Sequence, residues 1–482
     1  MPTKTHLLLC ALLTLLLAGC GIANELGLWA EPTSGPTPAG ASSGASAKPD
    51  ATDQPAATIV PEPTSDLGVD AADLEGVTLQ FWHAWSGATE QAASSLVDEF
   101  NRDNEWGITV VPTALGDFDG VQRAMSSALD GGELPQVTTA YLYQALSWEA
   151  SRPGLLVDLS RYVGDPIWGL DAEAQADFYP VYWEHDVLEG RRVGLPAQGA
   201  AQVLYYNTSL AGELGYTSPP ETPEQFKSQA CGAAQSFLRD DDPHNDHKGG
   251  WIVSTNYSAA LGWMYAFGGD VLTPDGERYR FDTPQVQAAM TFLRSLLDEG
   301  CAWLSESQPP EGEFAGRLGL FSTGGVAGIP YQEAAFVAAG SPDHWSILPF
   351  PGENGEGVMP VYGPAFQVLD STPEEQLASW LFVKWLTEPW AQAQLAQASG
   401  NFPVREGSLE HMGLLPQAHP QWKAALDLLP LARHEPGFAS WGTVRWAVSD
   451  AATQIFRYYF EIEQTSRLAE LLDKTANDLH EK

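Results

Sequence analysis

From Val77 the chain alternates short apolar strands with amphipathic helices: a strand, a turn, a helix, then another strand. Val77-Thr78-Leu79-Gln80-Phe81-Trp82 reads as a strand and is closed by the polar turn Ser86-Gly87. A helix then carries Ala92, Leu96, Val97 and Phe100 on one face, residues 108–111 form a second strand, and a helix follows around 121–129. Further strands are predicted at 137–140, 203–206, 325–329 and 361–369. Helices are predicted at 284–299, 373–387, 389–398, 444–459 and 465–480, and proline at the first helical position supports two of the starts. Such alternation points to α/β architecture, a mostly parallel sheet with helices on both faces. A chain of 482 residues with 44% hydrophobic content is long enough for two bodies of this kind. The sequence shows no internal repeat.

The first residues bear on location. Lys4 is the only charge ahead of an apolar run from Leu7 to Ala18, too short for a comfortable permanent span but fitting the apolar region of a secretory signal. The run ends in Leu17-Ala18-Gly19-Cys20, which resembles the lipobox of bacterial lipoproteins. That resemblance implies a signal peptide over 1–19, cleavage before Cys20, and lipid on Cys20 as a membrane anchor. Residues 20–75 are dominated by Pro, Ala, Ser, Thr and Gly without apolar periodicity, the composition of a disordered tether. No further membrane span is read in the chain. Of the four cysteines, Cys10 lies in the signal and Cys20 at the lipid site, leaving Cys231 and Cys301 in a disulfide-permissive compartment, where one bridge is expected.

Charge excludes one class of partner. The chain has 24 Lys+Arg against 62 Asp+Glu, a formal net charge of −38, and such a field repels nucleic acid. The loop Asp240 to Gly250 offers Asp240, Asp242, Asn245 and Asp246 as oxygen donors. It lacks the Gly and Glu of a calcium-binding EF-hand loop at the sixth and twelfth positions, and reads as a solvated surface turn rather than a metal site.

In open parallel sheets, ligands bind beyond the carboxyl ends of the strands. The turns there carry aromatics: Trp85, Tyr141 with Tyr143, and Tyr331. In order along the chain, the segments FWHAWSG, LPAQGAAQVLYYN (195–207), GWMYAFGGDVL (262–272), LFSTGGVAGIPY (320–331), ILPFPG (347–352) and GNFPVRE (400–406) resemble extracellular solute-binding proteins of the maltose-binding and glycerol-3-phosphate-binding type, partners of carbohydrate ABC importers. The likeness covers the body from Val77 to the C-terminus.

That resemblance implies a two-lobed, type II periplasmic-binding-protein-like fold with a ligand cleft at a hinge. The crossing segments would lie near 196–203, 323–330 and 385–392. The lobes would comprise 76–198 with 329–388, and 199–328 with 389–482. It implies an extracytoplasmic, monomeric receptor that binds a mono- or oligosaccharide or a sugar-like polyol and delivers it to permease subunits, with no catalysis, metal or cofactor.

Sugar rings pair apolar C–H faces with a rim of hydroxyls, so their sites need flat aromatics and convergent polar groups. The chain has 17 Trp and 15 Tyr, most of them core or surface by ordinary statistics. Position singles out a few. Trp85 and Ser86 follow the first strand, Tyr141 the third, and Gln198 lies in the first crossing. Tyr257 and Trp263 flank an apolar segment, and Tyr331 follows the second crossing. Tyr362 with Gly363 forms a glycine turn, Arg405 is placed to meet a hydroxyl, an anion or a structural partner, and Trp441 precedes the last helices. The rival readings are an exported glycoside hydrolase, which needs two carboxylates at a defined separation, and a surface lipoprotein that holds polysaccharide without transport. No nucleophile elbow, zinc-protease helix or phosphate-binding loop supports an enzyme.

Overall fold

Thr78–His83 (β1) buries Leu79, Phe81 and His83 while its intervening residues face outward, the period-two pattern of a strand with one face on a core. The structure is a computed structural model that describes residues 64–307 and 309–481. The expected signal, the expected lipidation site Cys20 and the expected tether up to residue 63 therefore lie outside the described residues. From Ser65 on, the chain forms one compact unit built on two main sheets.

The first sheet runs in the order β2-β1-β3-β11-β4. Besides β1 it contains Thr109–Ala114 (β2), Val137–Ala140 (β3), Leu195–Pro196 (β4) and, returning late in sequence, Ala365–Val368 (β11). β1 is parallel to both β2 and β3, and β11 joins antiparallel. Helices α1 (Gly87–Asp103) and α2 (Phe118–Leu129) make the parallel connections, and α3 (Leu142–Ser151) follows β3.

The second sheet is built on Ala200–Asn207 (β5), buried along its whole length because sheet neighbours flank it and helices cover it. Gly249–Ile252 (β6), Ala302–Trp303 (β7), Gly319–Gly325 (β8), Met359–Tyr362 (β10) and Ala432–His434 (β12) complete the order β12-β10-β5-β8-β6-β7, and Trp345–Leu348 (β9) also pairs with β5. Around it pack Pro223–Phe237 (α4), Tyr257–Ala266 (α5), Pro284–Asp298 (α6), Trp441–Ile455 (α10) and Thr465–His480 (α11). Proline at the first position and a capping threonine start α4 and α6. A disulfide joins Cys231 of α4 to Cys301, just before β7. Among the described residues no helix is long and apolar enough to cross a membrane.

The structure corrects several expectations. Residues 325–329 are not a strand: β8 ends at Gly325, a 3-10 turn spans Val326–Gly328, and helix α7 (Ile329–Ala339) begins with Pro330 in its first turn, where proline favours a helix start. The return crossing is therefore not at 323–330, since Thr323 and Gly325 are still paired with Leu204 and Gln202 in the second sheet. The chain returns at Gly363-Pro364, which splits the strand expected over 361–369 into β10 and β11. That places β9 and β10, within the segment assigned to the first lobe, in the second sheet. Nor does the chain cross at 385–392: α8 (Pro373–Leu386) and α9 (Pro389–Ser399) both pack on α1, and only beyond residue 411 does it join the second sheet.

Two of the crossings, at 197–199 and 363–364, lie side by side. Ala197 N donates to Pro364 O at 3.0 Å, and a Cβ on Gly363 would stand 2.1 Å from the Gln198 carbonyl oxygen. Only glycine lets the two strands approach this closely.

A candidate ligand cleft

Residues from both sheets meet beside these crossings. From the first sheet come Tyr141 and Tyr143, at the end of β3 and the start of α3, their rings parallel within 9° and 5.6 Å apart. From the second come Tyr257 at the start of α5, Tyr362 at the end of β10, Glu435 just past β12, and Trp441 and Arg445 on the first turns of α10. Tyr141, Tyr257, Tyr362 and Glu435 are each enclosed by protein yet keep some solvent contact, as cleft walls do.

Glu435 is the centre of charge. Its Oε2 accepts from Trp441 Nε1 at 2.7 Å, and its Oε1 lies 3.4 Å from Ser258 Oγ. Burial pushes its carboxyl up to about 7, against the Trp441 hydrogen bond and the charges of Arg445 and His185, which favour the carboxylate. Burial likewise raises Tyr141, Tyr257 and Tyr362 well above the usual phenol range and Tyr143 up to about 12, so all four hydroxyls stay neutral hydrogen-bonding groups. The Arg445 guanidinium lies 4.6 Å from the Tyr143 ring centroid, 5.6 Å from Tyr257 and 5.1 Å from Trp446. It thus bridges the two sheets through cation–π contacts.

A histidine pair adjoins this cluster. His185 stacks on His434 at 4.2 Å, and His434 Nε2 meets the Val181 carbonyl. Burial holds His434 down to about 3, whereas Asp186 beside His185 raises that imidazole despite its burial. A groove of about 990 Å³ lies next to this pair, lined among others by Tyr179, Val181, Glu184, Leu409, Leu429 and His434. That groove has charged groups of its own, Glu184, Lys423 and Arg433 among them, but it is in the tyrosine cluster that residues of both sheets converge on one carboxylate, and convergence of this kind marks a binding site.

The residues singled out from sequence divide into three groups. Tyr141, Tyr257, Tyr362 and Trp441 are brought together around Glu435, although Trp441 is a helix residue only 1% exposed and reaches the cleft through its indole N–H. Trp85, Gln198 and Gly363 support the crossing: Trp85 Nε1 donates to Gln198 Oε1 at 2.8 Å, and Gln198 Nε2 to Ser399 Oγ at 3.0 Å. Ser86 is exposed at the start of α1 without a side-chain cap bond.

Three stand elsewhere. Trp263 is 1% exposed and packed among Phe226, Trp251, Phe292 and Phe350, because α5 is apolar all round and buries that face in the second core. Arg405 is buried with Nε 2.7 Å from Asp177 Oδ2 and its guanidinium over Phe178, the structural ion pair left open by the sequence. Tyr331 is 65% exposed on α7, which starts where a strand end was expected.

Sequence reasoning passed over Glu435 and Arg445. Trp441 and Arg445 stand four apart, so both lie on one helix face, and that spacing was the available signal. Nothing local marks Glu435 among 62 acidic residues.

Comparison with known proteins supplies a frame. The family described as bacterial extracellular solute-binding protein matches residues 95–428. The sn-glycerol-3-phosphate-binding periplasmic protein of Rhizobium meliloti is 21% identical over 363 residues, covering 69% of this chain and 76% of that protein. The sugar-binding protein of Xanthomonas citri superposes with TM-score 0.70 at 18% identity, over 84% of this chain and 98% of that one. The cyclic α-maltosyl-1,6-maltose binding protein of Arthrobacter globiformis gives 0.68 at 20% identity, over 84% and 100%. At such identities the structural likeness shows a shared two-lobed fold.

Proposed function

The chain belongs to the bacterial extracellular solute-binding proteins, an extracytoplasmic family that serves importers, and from that premise we propose that it binds a sugar or sugar-like polyol between its two sheets. One observation carries the reading: Tyr141 from one sheet and Tyr257 and Tyr362 from the other surround a single buried carboxylate at the seam. Phenol rings offer flat apolar faces, and their hydroxyls with Glu435 and Arg445 offer the polar rim that replaces water around a polyol. The sugar-binding and glycerol-3-phosphate-binding relatives support the same ligand class.

Binding works by closure. Two adjacent crossings, 197–199 and 363–364, serve as the hinge, and a ligand touching tyrosines of both sheets stabilises the closed arrangement. The closed form then presents its surface to the permease. The chain acts by capture and release rather than by bond cleavage. Lipid on Cys20 and the tether after it hold the body at the membrane, and the processed protein works as a monomer.

A calorimetric screen of mono- and oligosaccharides and polyol phosphates tests the ligand class. One saturable ligand of this kind is expected, and a response only to peptides would overturn it. Detergent partitioning of Cys20→Ser against the parent protein tests the anchor: loss from the detergent phase is expected.

A further inference from the structure

Among the described residues no cation stands within ion-pair distance of the carboxylate at the centre of the cleft, although Arg445 and His185 act on it from farther away. Both of its hydrogen-bond donors, Trp441 and Ser258, are neutral, and among the described residues no Lys, Arg or His forms an ion pair with it. The nearby cation, Arg445, is held against the rings of Tyr143, Tyr257 and Trp446 instead. A buried carboxylate is costly unless paired. The surrounding tyrosines add ring faces and phenol oxygens, all of negative polarity. Oε1 carries only the long Ser258 contact, so one oxygen retains acceptor capacity toward the seam.

We propose that the ligand of this cleft carries a cationic nitrogen, as an amine-bearing sugar or polyol does, and that Glu435 receives it among the faces of Tyr141, Tyr257 and Tyr362. This rests on the solute-binding reading above and narrows it. A neutral polyol needs only a hydrogen-bond acceptor, which a glutamine would also supply. An ammonium needs the charge, and Glu435 with these aromatic faces provides it where no protein cation has taken the place.

The pH dependence follows with a definite sign. Because burial outweighs the hydrogen bonds and nearby charges and lifts the carboxyl to about 7, the empty site is largely protonated at pH 5, and a bound cation restores the carboxylate. Affinity for the cation therefore rises between pH 5 and pH 7. The other titratable groups facing Glu435 are Tyr141 and Tyr143 from the first sheet, Tyr257 and Tyr265 from α5, Tyr362 from β10, Arg445 from α10, and His185. The tyrosines and Arg445 do not titrate in that window. His185 is controlled by His185→Gln.

The experiment is calorimetry on the purified protein with matched pairs, each a neutral mono- or disaccharide and its amino-deoxy counterpart. The aminated member of one pair is expected to bind at least about tenfold tighter at pH 7, with affinity falling about tenfold or more by pH 5. Glu435→Gln should erase both the preference for the aminated member and the pH slope, and His185→Gln should preserve both. Neutral members binding as tightly as aminated ones at pH 7 overturn the cation and leave the carbohydrate reading standing. No binding by any member overturns both. Should Glu435→Gln not fold, the pH profile of the parent protein decides: a flat profile for the aminated member sinks the proposal.

Discussion

Two aromatic clusters stand within the second half of this fold, and they differ in one respect that separates core from site. Around Trp263, the rings of Phe226, Phe292 and Phe350 lie 4.9, 5.1 and 5.4 Å away, with Trp251 at 5.7 Å. Trp263, Phe226 and Phe350 are essentially dry, and no charged group enters among the rings. Around Glu435 the rings are tyrosines that keep some contact with solvent, and a carboxylate and a guanidinium stand among them. In the first cluster aromatic area is removed from water for good, which stabilises the fold. In the second the rings hold polar groups at a seam, and their contribution is available to a ligand. Trp441 belongs to both, buried by its ring and facing the carboxylate with its N–H.

If this contrast is right, substitutions in the two clusters should fail in different ways. Trp263→Ala should cost about 3–5 kcal/mol of folding stability by urea denaturation, while ligand affinity of the folded fraction stays within about twofold. Replacing Cys231 and Cys301 by alanine removes a crosslink over 70 residues that fastens the same core, and should cost about 2–4 kcal/mol. A loss confined to ligand affinity in either variant would break the comparison. Tyr257→Phe should do the opposite. Stability should change by less than about 0.5 kcal/mol, and affinity for the ligand found by screening should fall roughly three- to tenfold, the value of one hydrogen bond.

The smallest effect is a pH slope. The Glu435 carboxyl sits at about 7 in the fold, above its unfolded value, so the folded state binds the extra proton. Its contribution to stability is full at low pH and is lost as pH rises toward 7. Denaturation at pH 5 and pH 8 should show a smaller decline for Glu435→Gln than for the parent protein. His434, held down to about 3, acts in the reverse sense below pH 6 and is common to both, so the difference isolates Glu435. Identical slopes would mean that water reaches the carboxylate freely.

The helices beginning at Pro284, Pro373 and Pro389 were legible because proline and periodicity mark them locally, and the strands at 137–140 and within 200–207 because their apolar runs are short and bounded by turns. The crossings were only half legible. A proline in LPAQG marked the first, but the second resembled any strand interrupted by glycine, and its role depends on Gly363 packing against Gln198, 165 positions away. Among the tryptophans, Trp263 and Trp441 both prove to be buried helix residues, and only the indole N–H of Trp441 meets the carboxylate.

By itself, then, the order of apolar runs, turns and helix starts determined an α/β body and the positions of many of its strands and helices, because these are local signals along the backbone. Which aromatics stayed dry, where the chain returned to the first sheet, and that one glutamate among many lost its water were decided only by the tertiary structure. Burial and proximity are relations between distant residues, and no window of sequence contains them.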